Sequence, residues 1–493
     1  MELKDKAKQW LSDRYNLIFL GILAFAFIIR VYFWYSTKGQ ALWWDESEYG
    51  SIAKYFSIGL DYLLNNQRPF IFSWVISILF RIGFSEQIIK FLLVVLPSVF
   101  LVGAVYFLGK EMFNRKVALI ASFLIAINWS LIFWTARLQP DPISMLFQVI
   151  AVYFMWRYWK ENKTKLIIFA GVFASLGFNF KVSGLLVPAS FFIFILIKDR
   201  LSFIKNKDYW IFFLAFLIIL IPQFIYSYVS FGSATSFLTD SGYASVVLEN
   251  KPIGWYVFKF FYSLTENISF IFFIVGLVIS LSPLLYLDVL VKDKTKCFNP
   301  RLFSLISIIV VLLFYVFYVR GAEDRWVFLW LPFIFFMSSE ALIWLYSLIK
   351  QHSKYIALAL ILVILIFAGY SHISHANEII NLKEDSYSQV RDAGLWIRAN
   401  SNFEDTVLSI SIPQTAYYSE RKTRSYSFIK TPEDFNELLK ATNARFLQVS
   451  IFEPHPQAIS DWIAQNQNRI SPVQVYYADQ ARTQALLIIY EVK

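Results

Sequence analysis

Three carboxylates follow the first long apolar run of the chain, in the stretch LWWDESEYGSIAKYF (residues 42–56). Asp45, Glu46 and Glu48 come directly after two tryptophans. A carboxylate in this position could take a proton from an attacking hydroxyl group. It could equally be a solvated charge beside a membrane. Which interpretation holds depends on the other charged groups that share its side of the protein.

Further charges occupy short turns between apolar runs. Arg68 precedes Pro69, Arg137 and Asp141 lie in TARLQPDP, Lys181 lies in FNFKVSG, and Arg325 lies in VRGAEDRW. A charge beside hydrocarbon is costly and is usually paired or functional. Carboxylates with Arg and Lys suit a displacement in which the carboxylate accepts a hydroxyl proton and the cations stabilise a departing phosphate. Phosphate leaves as a stable anion, so no second, protonating carboxylic acid is needed, unlike in glycoside hydrolysis.

The composition places these residues in a membrane protein. Of 493 residues, 57% are hydrophobic and only 16% are charged, whereas soluble domains carry about a quarter charged residues. The net charge of +10 does not indicate nucleic acid, because residues 372–493 hold 12 basic and 14 acidic side chains and the excess lies in the apolar part. Cys297 is the only cysteine, which excludes an intramolecular disulfide.

About eleven transmembrane helices are predicted from the apolar runs. They are 17–35, 88–108, 117–133, 143–158, 166–180, 185–197, 210–228, 268–291, 302–319, 326–348 and 355–370, although 166–197 could be a single kinked or re-entrant pair. Within residues 1–371, with the N-terminus in the cytoplasm, the inside segments carry 21 Lys and Arg and the outside segments carry 11, while Arg30 lies within a span. This asymmetry supports the orientation, and it places the candidate residues and the C-terminus on the extracytoplasmic face.

Two outside segments, 36–87 and 231–267, have the composition of amphipathic helices that lie in the membrane interface. The composition changes again after residue 370. Helices are predicted at 389–400 and at 431–442, where Thr431 would cap the helix and Pro432 would begin it. Strands are predicted at 406–410, 445–451, 473–478 and 485–492. The predicted fold is therefore a transmembrane domain over 1–371 and a small extracytoplasmic α/β domain over 372–493, without a glycine-rich phosphate loop.

The motifs also resemble a known family. WWDESEYGSIA is similar to the W-x-D-E-x-x-Y-x-x-x-A signature of GT-C fold glycosyltransferases, in the branch of protein O-mannosyltransferases and aminoarabinose–lipid A transferases. QRPFIFSW, WTARLQPDP, LGFNFKVSGLLVP and EDRWVFLWLP resemble later motifs of that branch, in the family order. Phe70 replaces the second proline of one motif, and Phe180 replaces the threonine of another.

The resemblance implies an enzyme that moves a sugar from a polyprenyl-phosphate donor to an acceptor hydroxyl, with inversion. Asp45 would be the general base, Glu46 would orient it or the acceptor, and Asp141 would organise the opposite side of the pocket. The residues that would hold the donor phosphate are Arg68, Arg137, Lys181 and Arg325. Relatives differ in their use of a divalent cation, so a metal held by Asp45 and Asp141 stays an open alternative, and no other cofactor is expected.

The donor class also follows from the compartment, because nucleotide sugars and ATP are normally absent outside the cytoplasm. A lipid carrier in the membrane would supply the sugar, and the acceptor would be a protein, a lipid or a glycan. The main alternative is a multi-span transporter or lipid flippase. Transporters place ionisable residues near the middle of the bilayer, where this chain has chiefly Arg30 and Glu340. A third interpretation makes the C-terminal domain the active part and the spans its anchor.

Overall fold

The computed structural model describes residues 3–239, 251–285, 298–321, 323–479 and 481–493. The chain divides into two compact units. The first comprises Met1–Thr37, Asn66–Ile71 and Lys90–Asn381, and the second comprises Lys38–Asn65, Phe72–Ile89 and Leu382–Lys493. Cys297, most of the inside loop 291–301 and part of segment 231–267 lie outside the described residues. The division into 1–371 and 372–493 stays a prediction, and its boundary falls inside helix Lys354–Leu382.

The described part of the first unit is helical. Its α-helices are Leu3–Leu11, Arg14–Ser36, Leu96–Met112, Arg115–Ile127, Trp129–Thr135, Asp141–Glu161, Thr164–Phe180, Leu186–Asp199, Lys207–Phe231, Ser236–Thr239, Phe261–Thr265, Asn267–Leu285, Phe298–Leu313, Trp330–Lys350 and Lys354–Leu382. They are joined or extended by π-helical turns at Phe91–Val95, Trp255–Phe260 and Phe314–Val319, and by 3₁₀ turns at Val182–Leu185, Arg200–Lys205 and Asp324–Val327.

The predicted class of polytopic helical membrane protein is confirmed. Seven described helices are long and apolar enough to cross a membrane, and the bent pair Arg115–Ile127 and Trp129–Thr135 makes eight if it is one span. The other predicted spans coincide with helices Asp141–Glu161, Thr164–Phe180 and Asn267–Leu285, which are not among those eight. Region 166–197 forms two helices joined by a 3₁₀ turn. Within the described residues, length and apolarity therefore support seven or eight of the roughly eleven predicted crossings.

Close backbone contacts between helices depend on small residues. A Cβ atom on Gly276 would lie 2.1 Å from the carbonyl oxygen of Met337, and one on Gly171 would lie 2.6 Å from that of Phe212. Helix Asn267–Leu285 therefore packs directly on helix Trp330–Lys350, and helix Thr164–Phe180 packs on helix Lys207–Phe231. Large aromatic side chains fill the spaces between other helices, as where Phe191 stacks on Phe303 with ring centroids 5.9 Å apart.

The second unit contains a five-stranded mixed sheet. Its strands are β1 (Thr406–Leu408), β2 (Lys422–Arg424), β3 (Ala444–Ser450), β4 (Ile470–Tyr477) and β5 (Ala485–Val492), in the order β2-β1-β3-β5-β4. Strands β1, β2 and β3 are parallel, and β5 runs antiparallel to β3 and β4. The helices of this unit are Trp44–Ile58, Ile71–Arg81, Glu86–Lys90, Ser388–Ala399, Ile412–Ser419, Pro432–Thr442 and Gln457–Gln465.

The predicted helices and strands of the C-terminal region are confirmed, and β5 has the predicted bounds. Thr431 caps helix Pro432–Thr442 as predicted, because its hydroxyl oxygen accepts the backbone N–H of Asp434 at 3.2 Å. Strand β2 and the helices Ile412–Ser419 and Gln457–Gln465 were not predicted. Strand β2 reads KTR and lies at the edge of the sheet, so it lacks the apolar alternation that marks a strand.

Candidate active site

Asp141 and Lys181 form a buried ion pair in the first unit. Asp141 lies in the first turn of helix Asp141–Glu161, where the helix dipole favours a negative charge. Lys181 is the residue that ends helix Thr164–Phe180, and its ammonium group contacts Oδ1 of Asp141. The side chains are only 13% and 2% exposed for Lys181 and Asp141 respectively. Burial lowers the pKa of Lys181, and the carboxylate of Asp141 partly offsets this shift.

Arg325 reaches the same region from the 3₁₀ turn Asp324–Val327. Its Nε donates to Oε2 of Glu323 at 2.8 Å, and its guanidinium group lies over the ring of Trp134 at 4.6 Å from the centroid. The neighbouring Asp324 is half-buried and accepts hydrogen bonds from the indole N–H of Trp134 at 2.8 Å and from the hydroxyl of Ser130. Helix Trp129–Thr135 therefore contacts the turn at two places, the guanidinium group of Arg325 and the carboxylate of Asp324.

Helix Trp129–Thr135 follows a break after helix Arg115–Ile127, and this break sets its direction. The helix bends by 52° at Asn128, whose side chain accepts from the backbone N–H of Leu131 at 3.1 Å. Carbonyl groups before the break need other donors, and Arg30 provides one to Ala126 at 2.9 Å. Arg30 also donates to the hydroxyl of Ser98 at 2.7 Å. This mid-span arginine is therefore a structural support of the bend.

Three of the predicted site residues line one small cavity within the first unit. Asp141, Lys181 and Arg325 converge there with Ser144, Gln148 and Ser183. The cavity has a volume of about 10 Å³, which is room for about one water molecule. Its polar wall is ordered, since the hydroxyl of Ser144 donates to the carbonyl of Gly177 at 2.7 Å and accepts from Gln148 at 2.8 Å. Lys181 and Arg325 therefore line one space, and each is paired with a carboxylate, that of Asp141 or Glu323.

Arg137 and Arg68 also belong to the first unit. Arg137 is buried in the turn that follows helix Trp129–Thr135, and Arg68 is half-buried in segment Asn66–Ile71. Phe70, the residue that replaces a family proline, donates its backbone N–H to Oε1 of Gln223 at 3.1 Å. A proline has no N–H and could not make this bond. The substitution therefore fastens the segment of Arg68 to helix Lys207–Phe231.

Asp45 and Glu46 lie in the second unit, in the first turn of helix Trp44–Ile58. Glu46 is buried, and its Oε2 accepts the backbone N–H of Trp43 at 2.8 Å. It thus caps the helix in the manner of the acidic member of a capping box. Asp45 is half-buried, and the helix dipole favours its ionised form. The two acids therefore differ in role, because Glu46 caps the helical turn that carries Asp45.

In the part of the chain that the structure describes, no group of three or more His, Cys, Asp or Glu side chains could hold a metal ion. Asp141 contacts a lysine ammonium group, which is a poor neighbour for a divalent cation. Among the described residues, Asp141 and its neighbours therefore do not form a set of protein ligands that fits a metal ion. The supporting roles of Arg30, Ser130, Trp134 and Asp324 were not predicted from the sequence.

The chain is similar to known proteins in part of its sequence and in its fold. Residues 67–226 match the sequence profile of the family described as dolichyl-phosphate-mannose-protein mannosyltransferase. A search of the curated proteins finds no match.

Solved structures share the fold. ArnT from Cupriavidus metallidurans in the apo state superposes with a TM-score of 0.67 at 11% identity, over 98% of both chains. The same protein bound to undecaprenyl phosphate gives 0.66 at 12% identity, over 95% of this chain and 97% of that one. The oligosaccharyltransferase of Archaeoglobus fulgidus tethered with an acceptor peptide gives 0.64 at 15%, over 97% and 74%. Residues 67–226 are therefore similar to one family of membrane glycosyltransferases, and the chain shares the fold of ArnT and of the archaeal oligosaccharyltransferase.

Proposed function

We propose that the protein transfers a sugar from a polyprenyl-phosphate donor to an acceptor hydroxyl group on the extracytoplasmic face of the membrane, with inversion at the sugar carbon. The observation that carries this proposal is the cavity where Lys181 and Arg325 meet beside Asp141. A buried pair of cations suits a phosphate that becomes more negative as its bond to the sugar breaks. The ArnT structure bound to undecaprenyl phosphate supports this donor class.

The step is a single displacement. The carboxylate of Asp45 takes the proton of the acceptor hydroxyl as its oxygen attacks the anomeric carbon of the sugar. The bond from that carbon to the phosphate oxygen breaks, and its electron pair stays on the polyprenyl phosphate. Lys181, Arg325, Arg68 and Arg137 stabilise this leaving group. No protein carboxylate attacks the sugar, so the configuration inverts once.

The helix contacts also argue against a transporter. The mid-span charges that would suit transport already have structural partners, since Arg30 supports the bend at Asn128. Glu340 accepts hydrogen bonds from Nε and Nη2 of Arg301 at 3.1 and 2.8 Å. Movement of a lipid-linked sugar across vesicles without any transfer to an acceptor would overturn the proposed enzyme.

The test supplies the purified protein with undecaprenyl-phosphate mannose, glucose or aminoarabinose, together with lipid, glycan and protein fractions from the host membrane. Mass analysis of the products identifies the sugar and the acceptor. Asp45→Asn removes the proposed base and should lower kcat by about 10²–10⁴-fold. The matched control is Asp61→Asn, because Asp61 lies in the same unit and pairs with Arg424 and Lys422. Near-normal transfer by folded Asp45→Asn would contradict the assigned base.

A further inference from the structure

Helix Trp44–Ile58 packs lengthwise on helix Ile412–Ser419, and both belong to the second unit. The contact is close, since a Cβ atom on Gly50 would lie 2.5 Å from Cε2 of the Tyr417 ring. Ser51 donates its hydroxyl to the carbonyl of Pro413 at 3.0 Å. The C-terminal domain therefore contacts the helix that carries Asp45 directly, through side chains spaced along one face.

The far end of this contact is an ion pair. Nζ of Lys54 donates to the backbone carbonyl of Tyr417 at 2.7 Å and to Oε1 of Glu420 at 2.8 Å. Both side chains are mostly buried, at 13% and 16% exposure. Tyr417 in turn donates its hydroxyl to Oε2 of Glu86 at 3.0 Å. These bonds fix the second half of helix Trp44–Ile58, several turns away from Asp45.

A different bond fixes the first turn. The backbone N–H of Leu42 donates to the hydroxyl oxygen of Tyr418 at 2.7 Å, and both residues are buried. The next N–H, that of Trp43, donates to Glu46 at 2.8 Å. Two consecutive backbone groups immediately before the acidic turn are thus held, one by the helix itself and one by the C-terminal domain.

We propose that Tyr418 is a positioning residue for Asp45, so that the C-terminal domain contributes to the rate of sugar transfer through this one hydroxyl group. The inference rests on the proposed function, in which Asp45 is the base. A base must lie within hydrogen-bond reach of the acceptor proton, and a displacement of about 1 Å can cost about 10²-fold in rate. The backbone at Leu42, three residues before Asp45, sets the direction in which the helix begins.

The test compares Tyr418→Phe with Tyr426→Phe. Tyr426 lies in the same domain, is also buried, and donates its hydroxyl to the carbonyl of Gln448 at 2.9 Å. Each variant therefore loses one buried hydroxyl hydrogen bond. The assay uses the undecaprenyl-phosphate sugar that the wild type consumes, and measures kcat, donor KM and the folded fraction. Tyr418→Phe should lower kcat at least 10-fold with donor KM within twofold, whereas Tyr426→Phe should leave both within twofold.

A second variant removes the donor instead of the acceptor. Replacing Leu42 by its α-hydroxy acid exchanges the backbone N–H for an ester oxygen that cannot donate to Tyr418, and it should lower kcat as Tyr418→Phe does. Equal kcat values for Tyr418→Phe and Tyr426→Phe would overturn the proposal, as would failure of both Leu42 and Tyr418 variants to fold, because the contact would then be purely structural. If Asp45→Asn is inactive while Tyr418→Phe is normal, the positioning role alone fails. If Asp45→Asn is active, the proposed base fails as well.

Discussion

Lys181 and Asp141 form an ion pair at the ends of two adjacent helices, 40 residues apart in sequence. Asp141 begins helix Asp141–Glu161 and Lys181 ends helix Thr164–Phe180. Because these helices lie side by side, the first turn of one faces the last turn of the other. The ion pair therefore depends on the packing of the two whole helices. It places the ammonium group of Lys181 at the cavity that Arg325, a second cation, also lines.

The affinity for donor should depend on pH through Lys181. Burial lowers the pKa of this lysine, so its charge is lost at a lower pH than that of an ordinary lysine, about 10.4. Donor KM should therefore rise with increasing pH below the ordinary lysine range. Lys181→Arg should remove this rise because arginine stays charged. Identical pH profiles of donor KM for the wild type and Lys181→Arg would show that Lys181 does not hold the phosphate.

Trp134→Phe should weaken donor binding without removing any charge. The substitution keeps an aromatic ring near Arg325 but deletes the N–H that Asp324 accepts at 2.8 Å. The turn that carries Arg325 then loses one of its supports, and donor KM should rise severalfold. The control is Trp330→Phe, which loses a bond of the same kind, to the carbonyl of Ile308 at 2.9 Å. An unchanged donor KM for Trp134→Phe would show that the hydrogen bond between Trp134 and Asp324 does not support donor binding.

Arg30→Met should destabilise the first unit. The substitution leaves the carbonyl of Ala126 without the donor that Arg30 provides, and a buried group left unsatisfied costs about 1–3 kcal/mol. Ser98 also loses Arg30 but keeps the hydroxyl of Thr135 as a partner. Thermal unfolding in detergent should show a clear drop in Tm. Arg14→Met replaces an exposed arginine of the same helix and should change Tm little. Equal Tm values for the two variants would contradict the structural role of Arg30.

Thr431→Ala should loosen helix Pro432–Thr442 in the C-terminal domain. The hydroxyl of Thr431 caps the helix by accepting the N–H of Asp434, and loss of such a cap costs about 1 kcal/mol. Hydrogen exchange of the helix amides should accelerate about fivefold if exchange follows local opening. Thr442→Ala is the matched control, because that hydroxyl only donates to the carbonyl of Leu438 within the last turn. Equal exchange in both variants would argue against the cap.

The sequence by itself determined the class of the protein and most of its local structure. Long apolar runs and the charge distribution predicted a polytopic membrane protein. Alternation of apolar residues located β3, β4 and β5, and the Thr-Pro pair located helix Pro432–Thr442. The charged motifs predicted Asp141, Lys181 and Arg325 as site residues, and these three line one cavity in the structure. All of these signals are short-range, since they depend on residues within a few turns or one strand.

Tertiary structure alone decided how those residues are supported. No local sequence pattern predicts the strand order β2-β1-β3-β5-β4. The same is true of two hydrogen bonds, from Arg30 to the carbonyl of Ala126 and from the indole N–H of Trp134 to Asp324. The bond from Leu42 to Tyr418 joins residues 376 positions apart. Such contacts form because the folded chain must satisfy each buried polar group. The hydrogen-bond partner of a buried group is the one that tertiary packing brings near. The spacing of residues along the chain therefore does not predict that partner.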